Sequence, residues 1–277
     1  MGKFDGCILA CDVDGTLMSN EYINPKNIEK IDFFVKEGGK LSISTGRSIP
    51  ALTSVLEKVK NIGPSVVANG AVVYDYSVNE ILFQEDFSKN DYYIAEIVKK
   101  CDLNVGIEVH CGTEVFTLKR NEIATIHQDY EKFVAPDVSF ENVVYKKWNK
   151  VLFACESLQD REILKEMLSQ YEIEGEFIST AAFLGGAWNY YLEQVPKGAS
   201  KAKALEKICD IFKIKKGKLF AIGDYYNDVP MLKSSDICAV PCDAPDDVKA
   251  LAEYITCSCK DGAVADFIDY LTDEAKF

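Results

Sequence analysis

Hydrophobic and polar positions follow two regimes along the chain. In the first, short apolar runs alternate with stretches of helical spacing. Cys7–Cys11, Lys40–Ser44, Ser65–Ala68, Lys218–Ile222, Ile237–Val240 and Tyr254–Thr256 read as strands. Cys7–Cys11 is apolar on both faces, as strands inside parallel sheets are, and Ser65–Ala68 reads as a third buried strand. Between them, Asn24 caps and Pro25 opens a helix in which Ile28, Ile31, Phe34 and Val35 recur until Gly38-Gly39. Ser19–Pro25 before it reads as a loop or small flap. A second helix runs from Ile49 to about Val59, a third follows Ser200, and a last one opens at Asp261-Gly262 and continues to about Leu271. Asn69-Gly70-Ala71 turns into a hairpin of Val72–Tyr74 and Ile81–Phe83. From residue 84 to 187 the regime changes. Alternating strands such as Val105–Val109 and Glu114–Leu118 mix with helices near 89–101 and 159–171, without strand–helix–strand regularity. The pattern predicts an α/β fold. A doubly wound parallel core sheet spans residues 1–83 and 188–277, re-entered by the strand Asn189–Val195, and an α+β domain on an antiparallel sheet is inserted over 84–187.

The ends of the core strands carry the chemistry. Asp12-Val13-Asp14-Gly15-Thr16 places two carboxylates one residue apart at a strand's C-terminal end, where open α/β sheets hold ligands. Such anions raise each other's pKa unless a cation lies between them, and a hard oxygen-seeking ion, Mg²⁺ first, suits them. Thr45-Gly46-Arg47 ends the second strand. A hydroxyl and a glycine there can offer OH and N–H groups to a phosphoryl oxygen, although the same residues also make an ordinary helix cap. Gly223-Asp224-Tyr225-Tyr226-Asn227-Asp228 ends another strand, with carboxylates at i and i+4 that share a face if the turn is helical. Lys201 falls in the first turn of the helix after Ser200, where a cation opposes the helix dipole. Lys197 competes with it for any functional role.

Composition narrows the partners. The chain has 277 residues, of which 48% are hydrophobic and 27% charged, enough for two domains of a soluble enzyme. A net charge of −13 argues against nucleic acid but not against a phosphorylated metabolite, since a metal and a few local cations reverse the field inside a cleft. No run is apolar enough for a membrane span, and Met1–Asp5 lead straight into the first strand, leaving no room for a signal peptide. Ten cysteines, most of them in apolar runs, fit a reducing, cytoplasmic setting. The spacings of Cys238, Cys242, Cys257 and Cys259 do not suit a zinc knuckle. His110 and His127 lie in the insert and read as surface or packed residues. Oligomeric state is not fixed by the sequence.

Taken in order, Asp-x-Asp-Gly-Thr-Leu, Thr-Gly-Arg, Asn-Gly-Ala, the Lys after Ala-Ser, and Gly-Asp-x-x-Asn-Asp resemble the motifs of the haloacid dehalogenase-like (HAD) phosphohydrolases, in their Cof-type branch with a C2 cap. The resemblance covers nearly the whole chain and is weakest in the insert. It implies a Rossmann-like core with residues 84–187 as the cap. It implies Asp12 as nucleophile and Asp14 as general acid/base. Phosphate or substrate would be bound by Thr45, Lys201 and Asn227, by backbone groups of Val13 and Gly46, and by Arg47 and Asn69 nearer the substrate mouth. Mg²⁺ would be held by Asp12, Asp14 and Asp224, with Asp228 supporting the metal. The implied activity is Mg²⁺-dependent hydrolysis of small phosphomonoesters, sugar phosphates first, through an aspartyl-phosphate. A phosphomutase, a phosphatase of nucleotide, flavin or pyridoxal phosphates, and a non-enzymatic phosphometabolite-binding module are the alternatives. Pro241-Cys242-Asp243-Ala244, where the branch usually has Gly-Asn-Ala, and the aromatic pair Tyr225-Tyr226 leave the substrate open.

Overall fold

The computed structural model describes residues 2–60, 62–215 and 218–274. They form two compact units, one of residues 1–46, 55–83 and 200–277, the other of 47–54 and 84–199. The first is built on a five-stranded parallel sheet in the order Tyr254–Thr256, Ile237–Pro241, Leu219–Ile222, Ile8–Cys11, Lys40–Ile43. Ile8–Cys11 is buried throughout because strands flank it on both edges and helices cover both faces. Ile8 and Ala10 pack with Ala204, Leu205 and Ile208 of the helix Lys201–Phe212 and with Met231 and Leu232 of the helix Val229–Ser234. The helices Pro25–Lys36 and Ala263–Glu274 pack on each other and against sheet strands. Asn24 caps the first of these by accepting from the Lys26 N–H, as the sequence predicts. This is the Rossmann-like, doubly wound arrangement. The predicted flap is a minimal hairpin of Met18–Ser19 and Tyr22–Ile23.

Two predicted elements pair differently from the expectation. Ser65–Val67 runs antiparallel to Val72–Asp75, in a small sheet completed by Glu80–Gln84, and the isolated bridges Leu41–Ile62 and Ser44–Val66, with the Ser42 hydroxyl donating to the Pro64 carbonyl at 2.7 Å, tie it to the edge of the parallel sheet. The strand expected to re-enter the core, Ala187–Val195, belongs to the inserted unit. It pairs antiparallel with Glu176–Leu184 and with Lys150–Cys155. Gly185 and Gly186, with φ of +62° and +84°, make the two-residue turn that joins Glu176–Leu184 to it. The insert therefore continues to Ala199 rather than ending at 187, and it also takes in Arg47–Ser54.

The second unit's antiparallel sheet has the order Glu176–Leu184, Ala187–Val195, Lys150–Cys155, Gly106–Cys111, Glu114–Lys119. One face is apolar. Ile107, Val109, Val151, Phe153 and Leu192 pack there with residues of the helices Tyr93–Lys100 and Leu158–Leu168. The other face carries Glu108, His110, Lys150, Tyr191 and Glu193, all buried. Lys150 pairs with Glu193 at 2.6 Å. His127, from the helix Glu122–Glu131, contacts Glu108 at 3.0 Å and Glu131 at 3.5 Å. Both histidines are thus packed residues. No described helix is long and apolar enough to cross a membrane.

Burial lowers the pKa of His127, but Glu108 and Glu131 outweigh it and lift the value to about 10. Burial raises Glu131, but His127 outweighs it and brings the value to about 2. The stability due to His127 is therefore complete below about pH 6.5 and lost as pH rises towards 10, and that due to Glu131 is complete above about pH 4.5 and lost towards pH 2. The melting temperature of His127→Gln should lie furthest below wild type between these limits, at about pH 4.5 to 6.5, and the gap should narrow as pH approaches 10. A gap that stays constant to pH 10 contradicts this assignment.

Candidate active site

Parallel register brings the strand ends of the first unit to one level. Cys11 pairs with Ile222 on one side and Ile43 on the other, so Asp12, Gly223-Asp224 and Ser44-Thr45 leave the sheet together. The Asp12 N–H bonds the Ile222 carbonyl at 3.0 Å, and its side chain is almost fully buried. Asp14, two residues on, is exposed. Gly15, at φ +91°, lets the chain turn just after them, and a Cβ there would overlap the Asp224 carboxylate. The Thr16 hydroxyl donates to Asp224 Oδ1 at 2.9 Å. Val13 is buried, and its carbonyl accepts from the N–H groups of Thr16, Leu17 and Met18.

Lys201 is the first residue of its helix. The Ser200 hydroxyl caps that helix by accepting from the Lys203 N–H. The lysine is buried, and its Nζ lies 2.7 Å from Asp12 Oδ1 and 2.6 Å from Asp228 Oδ1. Asp228 Oδ2 accepts the N–H groups of Asp224 and Tyr225, both at 3.1 Å. Both oxygens of Asp228 are thus engaged, so it orders Lys201 and the Asp224 loop. Gly70, at φ +99°, lets its turn approach the Ser200 carbonyl and the Lys201 nitrogen, which a Cβ would block. Lys197, the competing lysine, is exposed and belongs to the other unit.

Thr45 is buried, and its carbonyl accepts the Asn69 N–H at 3.1 Å. Asn69 sits in the left-handed region, φ 54°, and its Oδ1 accepts from Asn227 Nδ2 at 3.2 Å. A Cβ on Gly46 would meet Asn69 Oδ1 at 3.0 Å. Thr45, Gly46, Asn69 and Asn227 therefore form one contiguous patch. Arg47 is grouped with the second unit, where it is buried with its guanidinium 5.3 Å from the Tyr130 ring centre. Sequence reasoning passed over one contact, Thr16 to Asp224. Its signal was the hydroxyl inside the first motif.

Ligand oxygens of Asp12, Asp224 and Asp228 lie within 4.8 Å of one another. Three carboxylates against one ammonium leave two negative charges in a buried cluster. Burial first, then the Asp228 charge, raises Asp12 well above the usual carboxylate range and Asp224 to about 7. Burial disfavours the Lys201 charge, but Asp12 and Asp228 outweigh it and hold the ammonium above its ordinary range. The cluster is short of positive charge, and its donors are hard oxygens, so it fits a small divalent cation.

The model of the haloacid dehalogenase-like hydrolases matches residues 9–268. The chain belongs to the haloacid dehalogenase-like hydrolases. It is a Cof-type phosphohydrolase of that family. Two 5-amino-6-(5-phospho-D-ribitylamino)uracil phosphatases of Bacillus subtilis, YwtE and YcsE, are 24% and 25% identical to it. The alignments cover 95% and 90% of this chain and 97% and 89% of those proteins. The solved structure of a HAD subclass IIB sugar phosphatase superposes with a TM-score of 0.80 at 23% identity, over 96% of this chain and 99% of that one. That likeness shows the shared fold.

Replacing Lys201 with methionine leaves Asp12 and Asp228 as adjacent buried anions. Lys201→Met should lower stability by about 3–5 kcal/mol in urea denaturation, as loss of one partner from a buried ion pair does. A loss below about 1 kcal/mol, the usual limit for exposed pairs, would show that the lysine does not neutralise the pair.

Proposed function

We propose that this HAD hydrolase is a Mg²⁺-dependent phosphatase that cleaves small phosphomonoesters through an aspartyl-phosphate on Asp12. The observation that carries the reading is the Lys201 ammonium shared by Asp12 and Asp228 beside the Asp224 carboxylate. A buried carboxylate is a nucleophile only if it stays ionised, and Lys201 favours that state. Asp12 attacks phosphorus in line, forming an O–P bond as the bond to the leaving oxygen breaks. Asp14, exposed two residues on, protonates the leaving alkoxide, then takes a proton from the water that hydrolyses the acyl phosphate. Thr45, the N–H groups of Val13 and Gly46, Asn227 and Lys201 hold the phosphoryl oxygens, and this electrostatic stabilisation is the largest contribution to rate. Asp12, Asp224 and the backbone carbonyl of Asp14 would hold Mg²⁺, with Asp228 fixing their surroundings. The ion supplies charge neutralisation for the phosphoryl group when bound.

The substrate class proposed is the phosphate ester of a polyhydroxylated alcohol. The names of the relatives support it, since a sugar phosphate and a ribityl phosphate share that chemistry. Arg47 and Asn69 are proposed to contact the alcohol portion. Ten free thiols support a reducing compartment, the cytoplasm.

Purified protein should release inorganic phosphate from members of a panel of sugar, polyol, nucleotide, flavin and pyridoxal phosphates. Release should stop with EDTA and return with Mg²⁺. Asp12→Asn should lose at least about 10³-fold in kcat with an unchanged circular dichroism spectrum. Retained turnover in Asp12→Asn removes the nucleophile assignment, and phosphate returned to substrate instead of water marks a mutase.

A further inference from the structure

Cys242 and Cys257, whose spacing does not suit a zinc knuckle, come together in the fold. The strands Ile237–Pro241 and Tyr254–Thr256 run parallel with Pro241 opposite Thr256. Each cysteine is the next residue of its segment, and the Cys242 N–H still bonds the Thr256 carbonyl at 3.1 Å, so the pairing carries through to them. Alternation agrees: Pro241 and Thr256 are buried, whereas Cys242 is exposed and Cys257 half-buried. At strand spacing their Cα atoms lie about 5 Å apart, inside the range of about 4.4–6.8 Å that a disulfide bridges. The backbone is held on both sides. Cys242 sits in a turn closed by the Ala244 N–H on the Pro241 carbonyl at 3.0 Å, and the Cys257 N–H donates to Asp266 Oδ2 at 2.7 Å. Burial first, then Asp266, pushes the Cys257 thiol up to about 11, and Cys242 is among the neighbouring charges that act on it.

We propose that Cys242 and Cys257 form a modification site, a dithiol that a peroxide converts reversibly to a disulfide. Cys242, the exposed member, reacts first. Its thiolate sulfur bonds one peroxide oxygen as the O–O bond breaks, and the hydroxide that leaves takes up the thiol's proton to become water. The product is a sulfenic acid. The Cys257 sulfur then bonds the Cys242 sulfur, the S–O bond breaks, and the oxygen leaves as water with the Cys257 proton. Two thiols and one peroxide thus become one disulfide and two waters. Cys257 suits the second role, because a thiol that keeps its proton does not itself attack peroxide. A dithiol reductant reopens the bridge by exchange and is itself oxidised to a disulfide. In a reducing compartment the pair rests as thiols and closes transiently under oxidative challenge. The bridge would join the loops that follow two core strands, at the sheet edge from which Asp12 and Asp224 also leave. The inference does not depend on the phosphatase reading.

Peptide mapping of the full chain by mass spectrometry tests this without any turnover. The native protein is treated with hydrogen peroxide, its remaining thiols are blocked with N-ethylmaleimide, and it is digested without reduction. Wild type should give the Cys242 and Cys257 peptides joined, about 2 Da lighter than their sum, and dithiothreitol should separate them. Cys257→Ser should leave on Cys242 a sulfenic acid that dimedone traps. Cys242→Ser should leave Cys257 reduced, so that N-ethylmaleimide labels it once the chain is unfolded. Circular dichroism spectra equal to wild type show that both variants are folded. Peroxide that leaves both thiols free, or that joins either of them to another cysteine or to a second chain, overturns the pair. Dimedone on Cys257 in the Cys242→Ser variant, with none on Cys242 in Cys257→Ser, overturns the order of reaction.

Discussion

A single buried ammonium holds the site together. Lys201 Nζ lies between the carboxylates of Asp12, at the end of one parallel strand, and Asp228, which precedes the helix Val229–Ser234 beyond the neighbouring strand, while the lysine comes from a helix packed beneath them. Without that charge the two acids would be adjacent anions in a dry environment with nothing to offset their repulsion. The geometry leading to it is correspondingly tight. Ser200 starts the helix one residue before Lys201, and Gly70 lets a neighbouring turn close on the same backbone. The helix dipole disfavours a cation at this position, and the two ion pairs outweigh that cost. Asp224 completes the cluster and leaves it two charges short of neutrality, which is the electrostatic basis for a divalent ion.

Much of this was legible in the sequence because it depends on local rules. Strand runs, the Asn24 cap, the glycine stop at 38–39, and acids or hydroxyls at strand ends follow from period, capping and turn chemistry. Lys201 could be preferred over Lys197 because it stands at an electrostatically awkward position. What was not legible depends on pairing between distant segments. Nothing local in Ser65–Val67 says whether its partner runs parallel or antiparallel. Asn189–Val195 has the same composition whether it enters the core or closes the insert's sheet, and only the Gly185-Gly186 turn marks it as half of a hairpin. The Thr16–Asp224 hydrogen bond spans 208 residues. Asp228 could be read as an acid near the metal, but not as one whose two oxygens are already taken by Lys201 and by two backbone N–H groups.

The inserted unit follows a different logic. Its sheet buries an apolar face under two helices, in the usual way. On the opposite face it buries a charged layer in which Lys150–Glu193 and Glu108–His127–Glu131 are arranged as opposite-sign partners. Such a layer is tolerated only when each charge has its partner, and it is costly to break at one point. Alternation along Gly106–Cys111 carries both faces at once, with Ile107 and Val109 on one side and Glu108 and His110 on the other. This explains why the strand pattern of the insert differs from the unbroken apolar runs of the core.

The central claim is that Asp12, its ionised form favoured by the Lys201 ammonium 2.7 Å away, takes the phosphoryl group itself. The most direct measurement is to quench the enzyme in acid during turnover of a phosphomonoester, reduce the acyl phosphate with borohydride, and map the modified residue by peptide mass spectrometry. The account predicts conversion of Asp12, and of no other aspartate, to homoserine. Reduction at a different residue, or phosphate release with no acyl phosphate trapped on the chain, would contradict it.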